Sequence, residues 1–307
     1  MISRMRALSL SVKAVRATRG PVALTLRSVA VALLVPPLAL ILFFFVIPLT
    51  HLFYASFLEP SQSELFGSTL TLSNYTSVLS DSFYHLIIMR TILVSAVVVG
   101  FSILIGYPAA LFIARLTPRG RLMMLMVLML PLMVSNVVRA YGWVAILGRR
   151  GIVNGSLQEL GMIERPLSLM YGIEAIALGL LTVLLPYVII SIANTLVQID
   201  KVYGEAAHSL GASPFRTFIH VTWPLSSPGV AAGLMLSFFL MLSAYVTIAL
   251  LGGPRYKLLV SLIYDSVVAF QWPKAAALAF ILLALALAGA LLIQLVLRPQ
   301  RVRGKGA

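Results

Sequence analysis

Residues 197–228 read VQIDKVYGEAAHSLGASPFRTFIHVTWPLSSP, and this stretch between two long apolar runs decides the fold of the chain. Its start is too polar for a membrane span, and its Gly, Ser and Pro residues are too regularly placed for a random linker. Good helix formers predict a short helix from Tyr203 to Leu210. Gly211 can adopt the positive φ that ends such a helix. Ser213 can cap a second helix, and Pro214 fits its first turn.

The second predicted helix has a mostly apolar face, whose members recur at helical spacing and are Phe215, Phe218, Ile219 and Thr222. We expect Pro224 and Pro228 to end this helix before the next apolar run begins at Gly229. The stretch therefore predicts a helix–Gly–helix hairpin. An amphipathic segment lying among lipid headgroups would also explain the apolar face, but it would not explain the spacing of the Ala, Gly and Pro residues.

Outside this hairpin the chain consists largely of apolar runs. Hydrophobic residues make up 60% of its 307 residues and charged residues only 10%, whereas a soluble domain carries about 25% charge. A helix needs about 20 apolar residues to cross the hydrocarbon layer. Six runs qualify, the third of them continuing past Arg139 as YGWVAILG: 29–49, 91–114, 122–138, 175–199, 229–251 and 275–297. None alternates as a strand would, so the sequence predicts an all-α polytopic membrane protein with six transmembrane helices.

The distribution of Lys and Arg predicts the orientation of these helices. If six spans cross the membrane, the segments on the same side as residues 1–28, which include the hairpin, hold 15 basic residues. The segments on the opposite side hold 6. Basic residues favour the cytoplasmic side, so both termini and the hairpin are expected there. The chain then divides into a basic cytoplasmic arm (1–28), a six-span domain (29–297) and a basic cytoplasmic tail (298–307). The net charge of +14 fits flanks beside anionic lipid better than a nucleic-acid surface.

Several function classes lack the residues that they need. The chain has no cysteine, and its four histidines show no HExxH spacing, so no metal or catalytic site is expected. It has no GxxxxGK[ST] motif, so ATP hydrolysis would have to occur on a partner. A secondary carrier or channel working without ATP is the alternative, but such carriers usually place carboxylates inside the membrane. A membrane enzyme would need a clustered acid/base set, and none is visible.

The hairpin carries a resemblance to a known family. The stretch Glu205-Ala206-Ala207, followed by Gly211, Val221 and Pro224, resembles the EAA signature of inner-membrane permease subunits of type I binding-protein-dependent ABC importers. Val221 stands where the family often has Ile, and Trp223 stands where it usually has Leu. The resemblance covers about residues 29–297 and implies the type I permease fold.

That resemblance also implies a coupling role for the hairpin and a set of partners. In the family this loop forms a helix that docks into the ATP-hydrolysing subunit, and here the corresponding residues would be Glu205, Ala206, Ala207, Gly211, Pro214, Val221 and Pro224. ATP and Mg²⁺ would be bound by that partner, with no cofactor in this chain. The complete importer would contain two ATPase subunits, a second related permease and a periplasmic solute-binding protein, in the inner membrane of a bacterium.

Three further segments are similar to permeases of the spermidine/putrescine type: VRAYGW (138–143), LGGP (251–254) and LIY (262–264). They imply a polyamine or a related small cationic or zwitterionic solute. Carboxylates and aromatic faces attract ammonium groups, so the candidate pathway residues are Asp265, Tyr264, Tyr245, Tyr141 and Trp143. Asp265 could instead pair with a nearby Lys or Arg, and the aromatic residues could form an interfacial belt. Arg139 could contact an acidic binding protein or lie at the membrane boundary.

Overall fold

In the computed structural model, which describes residues 20–60, 67, 69–254 and 256–297, nearly all regular structure is helical. Within these ranges the pairing of extended segments is limited to an isolated bridge between Leu58 and Leu70. The predicted all-α class is therefore confirmed for the described part of the chain. The predicted tail 298–307 and most of the predicted arm 1–28 lie outside the described residues, so both remain predictions.

The chain divides into two compact units after Ala55. The first contains α1 (Gly20–Ile41), one π-helical turn (Leu42–Val46) and α2 (Ile47–Ala55). Its stretch Leu33–Ala55 has a mean hydropathy of 2.5 and is long enough to cross a membrane. The large side chains along this stretch are exposed, as expected for a helix whose solvent is lipid.

The second unit contains the remaining helices. They are α3 (Ser73–Ser80), α4 (Ser82–Arg115), α5 (Pro118–Met129), α6 (Asn136–Leu147), α7 (Ile152–Glu159), α8 (Ile173–Gln198), α9 (Lys201–Ser209), α10 (Pro214–Thr217), α11 (Trp223–Leu242), α12 (Tyr245–Gly252), α13 (Leu259–Val268) and α14 (Trp272–Val296). Short 3₁₀ and π turns join α5 to the loop before α6 and α10 to α11. The buried centre is formed where α4, α8 and α11 pack together.

Five described helices are long and apolar enough to cross a membrane, or six if a sharply bent pair counts as one span. The second, fourth and sixth predicted spans lie within α4, α8 and α14 apart from one residue at an end. The fifth predicted span, over 229–251, is present with different bounds, because the helix that is long enough to cross a membrane runs from Pro214 to Leu242. Ser243 and Ala244 interrupt the helix, and α12 follows as a separate element.

The third predicted span is also not a single straight helix. Its two parts, Pro118–Met133 and Asn136–Glu159, meet at 89°. Val134 and Ser135 are extended at the break, and the Ser135 hydroxyl accepts a hydrogen bond from the Val137 amide. The bent pair has the length and apolar composition of a membrane span, but the apolar run could not indicate this change of direction.

Arg139 stabilises the break. Its Nη2 donates to the carbonyl of Pro131 and, at 3.0 Å, to that of Val134. A broken helix leaves carbonyls with fewer backbone donors, and an unpaired carbonyl is costly in an apolar surrounding. The Pro131 carbonyl also accepts from the Val134 amide at 3.3 Å. The Nε and Nη1 atoms of Arg139 are buried without a hydrogen-bond partner in the described structure. Arg139 therefore caps the first half of the bent pair, a role that neither sequence interpretation included.

The close approach of α8 and α11 depends on a small residue. A Cβ at Gly229 would collide with the side chain of Thr195 on α8. Ser191 Oγ donates to the Gly229 carbonyl at 2.9 Å, so the two helices are also joined by a hydrogen bond. Small residues of this kind let helix backbones approach where burial from water cannot drive association.

Candidate functional site

The first half of the hairpin is a short helix, as predicted. α9 runs from Lys201 to Ser209, and Asp200 caps it by accepting from the Val202 amide at 3.0 Å. The prediction of Tyr203 to Leu210 is confirmed, with the helix beginning two residues earlier. The signal for this earlier start is Asp200, since aspartate is a preferred capping residue.

Gly211 makes the turn between the two helices. Its φ is +81°, in the left-handed region that glycine adopts readily. The Gly211 amide donates to the His208 carbonyl at 2.9 Å, and the Ala212 amide donates to the Ala207 carbonyl at 3.0 Å. This pair of bonds is the Schellman arrangement that ends many helices. Beyond the adjacent residues, no described heavy atom lies within 4 Å of the position that a Cβ would occupy, so the backbone conformation alone requires glycine.

The second half of the hairpin begins as predicted but does not end as predicted. Ser213 Oγ accepts from the Arg216 amide, and Pro214 occupies the first turn of α10. The expectation that Pro224 and Pro228 would stop the helix is wrong, because Pro214–Leu242 is continuous over 29 residues.

A π turn explains how the helix passes both prolines. In Phe218–Thr222 the amide of Trp223 bonds back to the carbonyl of Phe218, five residues earlier. Pro224 then falls in the first turn of α11, where a missing amide matters little. The Ser227 hydroxyl donates to the Pro224 carbonyl at 2.8 Å, which satisfies the acceptor that Pro228 cannot serve.

The extra residue in the π turn also splits the predicted apolar face. Phe215 and Ile219 are exposed, whereas Phe218 packs inward. Exposed apolar side chains are also found on the first half of the hairpin, and Leu210 is 89% exposed. Glu205 and Ala206 are exposed beside them. Exposed apolar groups of this kind can be covered by a partner protein or by lipid headgroups.

The inward side of the hairpin is fixed to α4 by aromatic packing. The ring of Tyr107 lies 5.6 Å from that of Phe218 and 5.1 Å from that of Trp223, between centroids. The hydroxyl groups of Tyr107 and Ser226 are 2.7 Å apart. Tyr107 is not among the residues predicted from the sequence, although an aromatic residue with a hydroxyl in an apolar run is a recognisable sign of a buried partner.

Asp265 and two of the candidate aromatic residues lie in another region of the unit. Asp265 Oδ2 is 2.6 Å from Lys257 Nζ, so the ion pair allowed by the sequence is present. The rings of Tyr245 and Tyr264 are stacked with centroids 4.0 Å apart, and this stack joins α12 to α13. The structure thus brings together three of the five predicted pathway residues.

The other two candidates are carried by α6, which packs against α12. Trp143 is half-buried against the central cluster, and its Nε1 donates to Thr182 Oγ1 on α8 at 3.2 Å. Tyr141 is exposed. Trp143 therefore has a clear packing role, while Tyr141 remains available to a neighbour. Among the described residues no three His, Asp or Glu side chains are grouped in a way that could hold a metal ion.

Comparisons with known proteins cover most of the chain. Residues 102–302 match the family described as "Binding-protein-dependent transport system inner membrane component". The Spermidine/putrescine transport system permease protein PotB of Haemophilus influenzae is 30% identical over 234 residues, which cover 76% of this chain and 82% of that protein. PotB of Escherichia coli is 30% identical over 239 residues, covering 78% and 86%. The permease PotC of Shigella flexneri is 35% identical over 140 residues, covering 46% and 53%.

Solved structures show the same fold. A crystal structure of a bacterial ABC transporter that imports the acidic polysaccharide alginate superposes with a TM-score of 0.71 at 20% identity, covering 91% of this chain and 98% of that one. A second structure of the alginate transporter, in complex with a pentasaccharide-bound periplasmic protein, superposes equally well.

Proposed function

Because the chain belongs to the family of binding-protein-dependent transport system inner membrane components, we propose that its hairpin docks an ATPase subunit and that its spans line the path of a polyamine or a related small cationic or zwitterionic solute. The chain is a multi-pass permease of the bacterial inner membrane, with the fold of an ABC importer permease and no enzymatic activity of its own. This assignment favours ABC import over the secondary carrier and the membrane enzyme.

The hairpin carries the proposal of ATPase docking. Its exposed apolar residues and the exposed Glu205 suit a partner whose cleft is apolar with basic groups. Glu205, Ala206, Ala207 and Gly211 form the docking helix and its turn in this proposal, while Pro214, Val221 and Pro224 shape the return helix. The partner would bind ATP and Mg²⁺ and would lie on the cytoplasmic side.

Movement of the hairpin would reach the spans by two routes. The π turn joins α10 directly to α11 without a flexible loop, and Tyr107 joins the same segment laterally to α4. Closure of the ATPase subunits would therefore shift two central helices together rather than one connecting loop. Such a rigid shift could convert the pathway between inward-open and outward-open states.

Two observations support the polyamine class and the other partners. Relatives named as the spermidine/putrescine permease PotB match 76% and 78% of the chain, and a relative named PotC matches 46% of it. This suits an importer whose two permeases are related but different. Asp265 with the Tyr245–Tyr264 stack offers a carboxylate and aromatic faces to an ammonium group. A periplasmic binding protein would deliver the solute, as the alginate structure suggests for its own substrate.

Two leucines provide a matched test of docking. Leu210 and Leu160 each immediately precede a glycine of positive φ, and both are strongly exposed. Leu210→Glu should lose copurification with the ATPase and ATP-dependent uptake of radiolabelled spermidine, because it places a charge in the apolar docking surface. Leu160→Glu, outside the hairpin, should retain both. Normal copurification and uptake in Leu210→Glu would contradict the docking role.

A further inference from the structure

A large cavity lies at the end of α8 that is remote from the hairpin. Its volume is about 830 Å³, within the range of about 300–1,000 Å³ that is usual for sites of small organic molecules. Its walls come from the last turn of α6, the segment that leads into α8 and the turn after α12, and they include Leu147, Arg149, Ser168, Tyr171 and Tyr256. The five candidate pathway residues, all of them described, are not part of this lining.

The length of α8 fixes the depth of the cavity in the membrane. Its 26 residues rise about 39 Å, which exceeds the thickness of the hydrocarbon layer, about 30 Å. Gly172, which lines the cavity, directly precedes α8, so the cavity lies at the level of the lipid headgroups. Tyrosine is enriched at this level, and both Tyr171 and Tyr256 belong to the lining.

The charge at the cavity is positive. Among the described residues that line it, Arg149 alone is charged. The Arg149 side chain is exposed, and within the described part of the chain its guanidinium takes part in no ion pair and no hydrogen bond. A second guanidinium, that of Arg90, lies 5.1 Å from the centroid of the Tyr256 ring. Glu174 lies beside Gly172 but outside the lining, so the cavity favours an anion over an ammonium group.

We propose that this cavity binds the headgroup of an anionic phospholipid, with the phosphate at Arg149 and the first acyl carbons along Leu147 and Leu169. The planar donors of a guanidinium match a phosphate in both shape and charge. A soluble anion would use the arginine but would gain nothing from the apolar walls, whereas a phospholipid presents both parts at this depth. The site is separate from the candidate solute path and does not depend on the proposed solute.

Two walls of the cavity are held in place by one buried side chain. Asn154 is fully buried. Its Nδ2 donates to the carbonyls of Gly148 and Leu167, at 3.0 Å each, and its Oδ1 accepts from the Leu167 amide at 2.8 Å. Each of these two partners directly precedes a lining residue, Arg149 or Ser168. The guanidinium and the opposite wall are therefore fixed to each other through Asn154.

The third wall contains a tyrosine with strained backbone. Tyr171 has a φ of +63°, and its amide donates to the Leu251 carbonyl at 2.9 Å. Its ring packs on Gly253, where a Cβ would lie 2.5 Å from a ring carbon. Strained backbone of this kind is concentrated at ligand-binding positions. Walls that are fixed before binding also reduce the entropy that a ligand loses.

Native mass spectrometry of the assembled transporter, purified in detergent and titrated with phosphatidylglycerol, tests the proposal. The unaltered transporter should retain phosphatidylglycerol in preference to phosphatidylcholine, whose headgroup has no net charge. Arg149→Gln should weaken one phosphatidylglycerol binding step about tenfold, the effect of one lost charge-assisted hydrogen bond. Arg150→Gln removes the same charge from the next residue, which is exposed and outside the lining, and should leave this step unchanged.

A second variant keeps the charge and fills the space. Ser168 is exposed and lines the cavity, so Ser168→Trp should exclude the headgroup and abolish the same binding step while Arg149 is still present. The spectra also report the subunit composition, so that a variant that fails to assemble is distinguished from one that assembles without the lipid.

Three results would overturn the proposal. Equal weakening by Arg149→Gln and Arg150→Gln would indicate diffuse surface charge, and unchanged lipid binding in both Arg149→Gln and Ser168→Trp would show that lipid does not enter the cavity. Glycerophosphoglycerol, the headgroup without acyl chains, should compete poorly; competition as strong as that of the lipid would assign the cavity to a soluble anion. Unchanged lipid binding in Arg149→Gln together with lost binding of the periplasmic solute-binding protein would identify a protein socket instead.

Discussion

Replacing Gly211 with valine tests the geometry of the hairpin at its most demanding residue. The φ of +81° is costly for any residue with a Cβ, by about 1–2 kcal/mol. Beyond the adjacent residues, no described atom lies within 4 Å of the Cβ position, so steric collision within the chain adds nothing to this cost. The equilibrium between the formed and the distorted turn should therefore shift by a factor of about 5–30.

Gly161 is the matched control for this experiment. Its φ is +68°, its Cβ position is equally open, and its turn has the same two hydrogen bonds, from Gly161 to Gln158 and from Met162 to Leu157. Gly161→Val should therefore have a similar local cost, but at the end of α7 rather than in the hairpin.

The assay is ATP-dependent uptake in proteoliposomes, with membrane insertion and permease yield measured beside it. Gly211→Val should insert normally but lose about five-fold or more of its uptake and of its ATPase copurification, because the docking helix would no longer be held against its return helix. Gly161→Val should retain both. Normal uptake in Gly211→Val would refute the reasoning, and an equal loss of uptake in both variants would show that the turn chemistry matters for folding rather than for coupling.

Three other substitutions follow from particular contacts. Tyr107→Phe removes the hydroxyl that bonds Ser226 and should lower the stability of the transporter by about 1 kcal/mol. Fewer molecules should then be taken up per ATP hydrolysed. An unchanged ratio would show that movement of the hairpin does not reach α4 through Tyr107. Arg139→Met removes the side-chain donor to the carbonyls of Pro131 and Val134 and should cost about 1–3 kcal/mol, with Arg139→Lys intermediate; equal stability of all three forms in a thermal melt would disprove the capping role. Phe270→Gly relieves the left-handed backbone and should stabilise the isolated chain by about 1 kcal/mol in a thermal melt. In the assembled transporter, a contact between the exposed ring and a partner subunit would oppose this gain.

Local chemistry explains which parts of the hairpin could be predicted. A positive φ at Gly211 and a capping hydroxyl at Ser213 depend on residues within one turn, and the structure has both. The positions of the spans within α4, α8 and α14 were predictable because the thickness of the hydrocarbon layer sets the least length of a span. The start of α4 at Ser82, nine residues before the predicted run, was not predicted. Side-chain pairs such as Lys274 with Tyr84 join residues far apart in sequence, and no local pattern specifies them.

The bend of the third span and the unbroken helix through Pro224 differ from the predictions for different physical reasons. The apolar content of a segment indicates that lipid surrounds it but not the direction in which its helix runs. The apolar run through Val134 and Ser135 therefore could not predict the 89° bend. The signals for it were Pro131 and the capping Ser135, which a count of apolar residues ignores. At Pro224 the mistake was to treat proline as a stop regardless of context. A π turn before it and a serine hydroxyl after it supply what the proline lacks.

The continuous helix through Pro224 matters for how force could be transmitted. If the prolines had ended the return helix, the hairpin would be attached to the bundle by a loop, and a push on it would be absorbed by rotation of a few backbone bonds. Instead, α10 leads into α11 through hydrogen-bonded turns, while Trp223 and Phe218 pack on Tyr107 of α4. The π turn is the least regular part of this connection, because its amide-to-carbonyl bonds span five residues. Bending during transport should therefore concentrate between Phe218 and Thr222, and amide hydrogen exchange in the assembled transporter should be faster there than in α11 and should change when ATP binds.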